Sequence, residues 1–313
     1  MAGHRRTLSR RRFLQTAGGT AVAGCQTIQA DRSQTAFALN YMLASSMYGK
    51  TDVIECIRQV DRIGASCIDL WPPSHGDQRD QIDEIGHDKF VDALKDASVG
   101  LEMTTRYDLG PYRLQNEMEI VSRLGGKMIV CGSRAKTDAP LKTQVKDFVE
   151  SMKPHVAKAE TLGVTIAIEN HSSALINSPD SLKFFADLSP SPNLGIALAP
   201  YHLPQDAASI AALIKHCGTS IVHFYAWEHG LGCHRPMPKP HELMQLPGFG
   251  TLDFVPIVRA LMEIDYQGFT EIFMHPTPRG IPIMKTTGEV NSVINRSANY
   301  LSRCIAQSAA GAM

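Results

Sequence analysis

The sequence predicts a single-domain α/β protein of the (β/α)8 TIM barrel class over residues 36–305. From residue 36 onward, a short apolar, β-rich run alternates eight times with a helical pattern. Eight such units in about 270 residues match this barrel, and continuous apolar runs suit parallel strands that are covered on both faces. No Gly-rich phosphate-binding motif follows any run, which disfavours a doubly wound sheet. No Pro- or Ser-rich linker divides the chain.

The predicted strands are the apolar runs at 37–43, 66–72, 100–106, 127–133, 164–170, 194–200, 220–227 and 268–274. The helical segments between them are amphipathic. One follows Asp52 and another follows Asp253, and both aspartates are of the type that caps helix N-termini. The longest helix is predicted for residues 142–162. Residues 228–252 lack periodicity, and in a barrel they predict a long loop over the catalytic face.

Charge and hydropathy exclude two classes of protein. The chain has 31 basic and 31 acidic residues and a pI near 7.2, so nothing in its charge favours a nucleic-acid partner. No apolar run reaches the roughly 18 residues that a membrane-spanning helix needs.

The first 30 residues have the layout of a secretory signal, a basic start followed by a Gly/Ala-rich run. The stretch SRRRFL at 9–14 resembles the bacterial twin-arginine export motif, which implies the Tat export machinery as a partner. Two processing outcomes remain open. Cleavage can follow AVA at 21–23, or VAGC at 22–25 can act as a lipoprotein box that places a lipid on Cys25 and anchors the chain to the membrane. We expect an exported protein, either periplasmic or membrane-anchored.

Ionisable and aromatic residues collect where the predicted strands end, which is where a barrel of this class places its active site. They are Trp71, His75, Glu169, His202, His223, Trp227, Glu271, His275 and Arg279. The two tryptophans can pack on a sugar ring, and His75 joins them as a substrate-binding candidate. His275 and Arg279 can bind a substrate anion or a partner, and the alternative is a proline-fixed loop with a solvated arginine.

Two glutamates, Glu169 and Glu271, lie at or inside otherwise apolar strands. A buried Glu is costly unless it is paired or bound to a metal. The alternative is that each glutamate pairs with an arginine. Together with His223, however, they favour a shared site for Mn, Mg, Co or Zn. Such a cation can polarise the carbonyl of a hydroxy-ketone while a glutamate moves the proton of the neighbouring carbon.

The strand ends IEN, PYH, VHF and GFTEIF, with GFGTLDF before the last helix, resemble those of the xylose isomerase-like barrels. This family includes sugar (phosphate) isomerases and epimerases, and the resemblance covers roughly residues 36–305. It implies that Glu169, His223 and Glu271 are metal ligands and that Glu169 and Glu271 form the acid/base pair. Where the family has a fourth ligand, an Asp on strand six, this chain has Ala199. The resemblance makes His202 a substrate-binding residue.

The first functional hypothesis is a divalent-metal-dependent isomerase or epimerase that acts on a small carbohydrate through an enediolate. Two alternatives remain. One is a lyase that uses the same metal chemistry on a keto-sugar, and the other is a carbohydrate-binding barrel whose catalytic site has decayed. Trp71, His75, His202, Trp227 and Arg279 are the predicted substrate contacts. Association into a homo-oligomer is compatible with each hypothesis.

Overall fold

The polypeptide forms a closed barrel of eight parallel strands with helices in the connections between them. A computed structural model describes residues 37–136 and 138–310 of the 313. Each strand pairs with the next in chain order, and the eighth pairs with the first. The closed sheet therefore has no free edge, and the predicted single-domain (β/α)8 barrel is confirmed.

The strands are β1 (Asn40–Ala44), β2 (Cys67–Leu70), β3 (Gly100–Thr105), β4 (Met128–Cys131), β5 (Thr165–Glu169), β6 (Leu194–Leu198), β7 (Ile221–Ala226) and β8 (Phe269–Ile272). The helices are α1 (Val53–Gln59), α2 (Gln78–Ile85), α3 (His87–Ala97), α4 (Gln115–Arg123), α5 (Leu141–Leu162), α6 (Pro179–Leu188), α7 (Ala207–Cys217), α8 (Lys239–Glu242), α9 (Phe254–Glu263) and α10 (Thr287–Ala310). Every observed strand overlaps the apolar run that predicted it.

The predicted helix caps are present. The side chain of Asp52 accepts hydrogen bonds from the backbone of Ile54 and Glu55 at the start of α1. Asp253 does the same for Val255 at the start of α9. These bonds satisfy backbone N–H groups that the first turn of a helix leaves free. The caps fix where both helices begin, as their sequences indicate.

The segment between β7 and α9 is a long connection, as predicted, but it contains the short helix α8. Its GFG motif serves two different backbone needs. Gly248 has φ +77°, a left-handed conformation that suits glycine. A Cβ at Gly250 would collide with the carbonyl oxygen of Met244 and with Oε2 of Glu228. The motif thus lets the connection fold tightly against the end of β7.

Strand register decides which side chains share a level of the barrel. Tyr225 on β7 is the register partner of Glu271 on β8, whereas His223 pairs with Phe269. The register between β6 and β7 shifts by one residue between Ile196 and Ala197. His223 therefore lies one inward-facing position below Tyr225.

The predicted signal segment, residues 1–30 with Cys25, lies outside the described residues. Across the part of the chain that the structure describes, no helix is both long enough and apolar enough to cross a membrane.

Candidate active site

A cavity of about 740 Å³ opens at the carboxyl ends of the strands. This volume lies in the range of small-molecule sites. Six of the nine residues singled out from the sequence line it, namely His75, Glu169, His202, Trp227, His275 and Arg279. Trp71, His223 and Glu271 are buried and are not among the lining residues. The cavity therefore lies at the predicted strand ends, but the sequence did not separate the residues of the cavity wall from those buried beneath it.

Glu169 and His202 face each other in the cavity wall. Nε2 of His202 lies 3.7 Å from Oε1 of Glu169, and both side chains are 5% exposed. Burial, and secondarily the charge of Glu271, raises the pKa of Glu169 well above its ordinary value. Burial lowers the pKa of His202 to about 3. The pair therefore combines a carboxyl group that holds its proton unusually well with a neutral imidazole.

Aromatic rings form the wall beside this pair. Tyr201 stacks on Trp227 with ring centroids 3.9 Å apart, and the ring of His202 stands perpendicular to Trp227 at 5.2 Å. Flat aromatic faces next to a polar pair are suited to holding a sugar ring. Tyr201 follows strand six within the PYH motif, yet only His202 of that motif was singled out.

Gln245 holds this wall in place. Its Oε1 accepts hydrogen bonds from Nε1 of Trp227 and from the backbone of His275, at 3.1 and 3.2 Å. Its Nε2 donates to the backbone carbonyls of Glu242 and His275. One buried amide thereby joins the long connection to the ends of β7 and β8. No sequence signal identifies this residue, because it lies in a segment without periodicity.

Trp71 packs beneath the cavity. Its ring stacks on Phe273 with centroids 5.0 Å apart, and it is 1% exposed. Above it, His75 and His275 stack on each other at 4.4 Å, and both line the cavity. Trp71 supports the two histidines, and it does not itself line the cavity.

A second polar cluster lies deeper, inside the barrel, and consists of Asp69, His223, Tyr225 and Glu271, each no more than 1% exposed. Nε2 of His223 is 3.8 Å from Oε2 of Glu271, and Asp69 accepts a hydrogen bond from Thr105. Burial raises the pKa of both carboxyl groups well above their ordinary values. It lowers the pKa of His223 to about 3. Burial thus favours the neutral forms of these groups, while both ring nitrogens of His223 and both carboxyl oxygens of Glu271 have no hydrogen-bond partner.

The described residues do not fit the divalent-metal centre that the family resemblance implies. Nowhere in residues 37–136 and 138–310 are three His, Cys, Asp or Glu side chains grouped so that they could hold a metal ion. Ala199 offers no side-chain donor, and both its backbone N–H and its carbonyl are bonded to the side chain of Asn170. At the level of Glu271, β7 presents Tyr225 and not His223. His223 and Glu271 face each other, but neither is among the residues that line the cavity with Glu169.

Comparison with known proteins places this geometry in context. The model of the xylose isomerase-like TIM barrel family matches residues 57–289. No curated protein sequence matches the chain.

Among solved structures, an L-ribulose 3-epimerase superposes with a TM-score of 0.66 at 14% identity, covering 88% of this chain and 97% of its own. The IOLI protein, solved with a bound zinc atom, has a TM-score of 0.67 at 14% identity over 86% and 99% of the two chains. The D-psicose 3-epimerase of Clostridium cellulolyticum H10, solved with D-tagatose, has a TM-score of 0.65 at 15% identity over 85% and 99%. At these identities the likeness shows a shared fold.

Proposed function

Because this chain belongs to the xylose isomerase-like TIM barrel family, we propose that it is an isomerase or epimerase of a sugar or a related hydroxy-ketone. One observation carries this proposal. Glu169 is the one acidic side chain among the described residues that line the cavity, and it faces the unpartnered Nε2 of His202. Several of the structural neighbours are sugar epimerases, which supports this class of substrate.

The chemistry we propose is a proton transfer next to a carbonyl. Glu169, when ionised, removes the proton from the carbon beside the carbonyl group. Its raised pKa makes it a stronger base than an exposed glutamate. Neutral His202 exchanges a proton with the substrate oxygen that becomes the enediol hydroxyl. Return of a proton by Glu169 to the adjacent carbon gives isomerisation. Delivery of a proton to the opposite face of the original carbon gives epimerisation, and His202 is the candidate donor for that step.

The second proton-transfer role goes to His202 in this proposal and not to Glu271. The family resemblance pairs Glu169 with Glu271, but Glu271 is fully buried and is not among the cavity-lining residues. A group that exchanges protons with substrate must reach it. The described residues do not fit a Mn, Mg, Co or Zn centre, and the proposed proton transfers use only the side chains of the cavity wall.

A carbohydrate-binding barrel without catalysis is the second candidate. Ala199 and Tyr225 favour it, because both stand at the level of Glu271, where the family resemblance expects metal-binding side chains. The aromatic wall of Tyr201 and Trp227 would serve this function equally well.

Incubation of the protein with a panel of ketoses and keto-sugars in D2O separates the candidates. An isomerase or epimerase incorporates solvent deuterium at carbon and gives a product of unchanged composition. A dehydrated product would instead assign a lyase. Binding without any deuterium incorporation across the panel would contradict the proposal and favour the non-catalytic barrel.

We also propose that residues 1–30 direct export through the Tat machinery. The SRRRFL stretch supports this. Replacement of Arg10 and Arg11 by lysine should retain the protein in the cytoplasm of a bacterial host, as measured by cell fractionation. Unchanged export of this variant would contradict the proposal.

A further inference from the structure

Arg279 lines the cavity, and its guanidinium is held by a backbone carbonyl and a cysteine sulfur. Nη1 donates to the carbonyl of Pro276 at 2.9 Å, and Nη2 donates to Sγ of Cys233 at 3.0 Å. Within the described residues, no carboxylate forms an ion pair with it. Arg has five N–H donors, and these two bonds use two of them. An oriented, uncompensated guanidinium with free donors therefore stands at the cavity wall.

Histidines surround this charge. His75 and His275 stack beside each other, and Nδ1 of His75 is buried without a partner. Burial, and after it the charge of Arg279, lowers the pKa of His75 to about 4 and that of His171 below its ordinary value. Both shifts disfavour further positive charge on these histidines. A bound anion would compensate the positive charge of Arg279 and accept hydrogen bonds from the N–H groups of the histidines.

A continuous wall connects Arg279 to the proton-transfer pair. Sγ of Cys233 contacts the guanidinium and also lies 2.9 Å from the hydroxyl of Tyr201. Tyr201 stacks on Trp227, which adjoins His202. One ligand in this cavity can thus contact the arginine with one end while its other end lies near Glu169.

The acidic groups of the cavity do not balance this charge. Glu169 is the one carboxylic acid among the described lining residues, and its raised pKa favours its neutral form. Arginine is well suited to binding carboxylate and phosphate groups, because its planar fork offers parallel donors to two oxygens. The alternative was a solvated arginine in a proline-fixed loop. The two protein acceptors and the position of Arg279 in the cavity wall disfavour that alternative.

We infer that the sugar bound in this cavity carries an anionic group, a carboxylate or a phosphate, held by Arg279 with His75 and His275 while its reacting carbons face Glu169. This inference rests on the proposed function, because it names the substrate class of the same cavity. It gives Arg279 a specificity-determining role that is independent of the proton transfer.

Calorimetric titration with D-glucose, D-glucuronate and D-glucose 6-phosphate tests the inference. We expect at least one of the two anionic sugars to bind about tenfold or more tightly than D-glucose, and the two arms distinguish a carboxylate from a phosphate. Arg279→Met should remove this preference, so that the anionic sugars bind no more tightly than D-glucose. Arg235→Met is the matched control, because Arg235 is an exposed residue of the same face that does not line the cavity.

Three outcomes would overturn the inference. They are a preference of the wild-type protein for D-glucose, no binding of either anionic sugar, and an Arg279→Met variant that retains the wild-type preference. Failure of the proposed function has a different signature, since it appears as absence of deuterium incorporation whatever the affinities. Tight, Arg279-dependent binding of an anionic sugar without exchange would support the anionic class and reject the isomerase.

Discussion

Glu271 shares its level of the barrel with Tyr225, its register partner on β7. Ala199 lies at the same level. Leu198 on β6 pairs with Phe224 on β7, so the next residue, Ala199, is level with Tyr225. On β6, β7 and β8 the side chains at this level are therefore one methyl, one phenol and one carboxyl group. Only the carboxyl is a good ligand for a hard cation, which is the physical reason that a metal centre does not fit.

Restoring ligands at this level should create a metal site. We expect the double variant Ala199→Asp, Tyr225→His to bind Mn²⁺ or Zn²⁺ at least about tenfold more tightly than the wild-type protein in calorimetric titration. The control is Ala199→Asn with Tyr225→His, which has nearly the same shape without the added charge. Equal affinities in all three proteins would show that the register does not place these residues around one point.

Strand ends can be located from the sequence, whereas depth within the barrel cannot. Glu169 and His202 were predicted site residues because Glu169 lies at the end of an apolar run and His202 closely follows one. His223 was predicted as a metal ligand by the same logic, and that role stays a prediction. Its depth depends on the one-residue register shift between β6 and β7. Such a shift leaves no mark on the apolar pattern, since the strands are buried on both faces.

At the scale of elements, the connection 228–252 shows how an aperiodic segment is fixed to a barrel. Glu228 joins its two ends, because its backbone N–H donates to Gln245 and its Oε2 accepts from the backbone of Leu252. Gly250 permits this approach by having no Cβ. The GFG motif was recognisable in the sequence, but its contact with Glu228 was not. The two lie at opposite ends of a segment without periodicity, so no local pattern connects them.

Glu228 should make the stability of this connection depend on pH. Burial raises its pKa from 4.5 to about 7, so the fold favours the protonated form. The stabilisation that comes from the raised pKa of Glu228 is fully present below about pH 4.5 and is lost as pH rises through 7. We expect Glu228→Gln to gain stability relative to the wild-type protein between pH 5.5 and 8.5, by up to about 3 kcal/mol. Urea denaturation of both proteins at three pH values measures this difference, and a constant difference would contradict the assignment.

At the scale of the whole molecule, barrel closure depends on contacts between the two ends of the chain. β1 pairs with β8, and α10 is joined to the first β/α unit by a buried side-chain network. Asn291 accepts a hydrogen bond from Tyr48 at 2.7 Å and donates one to Gln59 at 2.8 Å. The eight-fold alternation predicted the barrel, but this network joins residues more than 200 positions apart, and no local pattern could indicate it.

Removing this network should destabilise the whole barrel. Asn291→Leu leaves the buried hydroxyl of Tyr48 and Oε1 of Gln59 without their hydrogen-bond partner, which we expect to cost about 2–4 kcal/mol in the free energy of unfolding. Asn295→Leu on the same helix is the control. The side chain of Asn295 also bonds to the first part of the chain, at the carbonyl of Arg62, but this hydrogen bond is exposed to solvent. Both are measured by chemical denaturation. Equal losses in the two variants would mean that the buried network has no special role in closure.

The central claim is that Glu169 moves a carbon-bound proton of a sugar in the cavity. The most direct measurement is the rate of solvent deuterium incorporation into a bound hydroxy-ketone by the wild-type protein, Glu169→Gln and the surface control Glu263→Gln, with affinity measured in parallel. We predict that Glu169→Gln retains binding but loses exchange by about a hundredfold or more, while Glu263→Gln behaves as wild type. Exchange at the wild-type rate in Glu169→Gln would show that Glu169 does not move this proton.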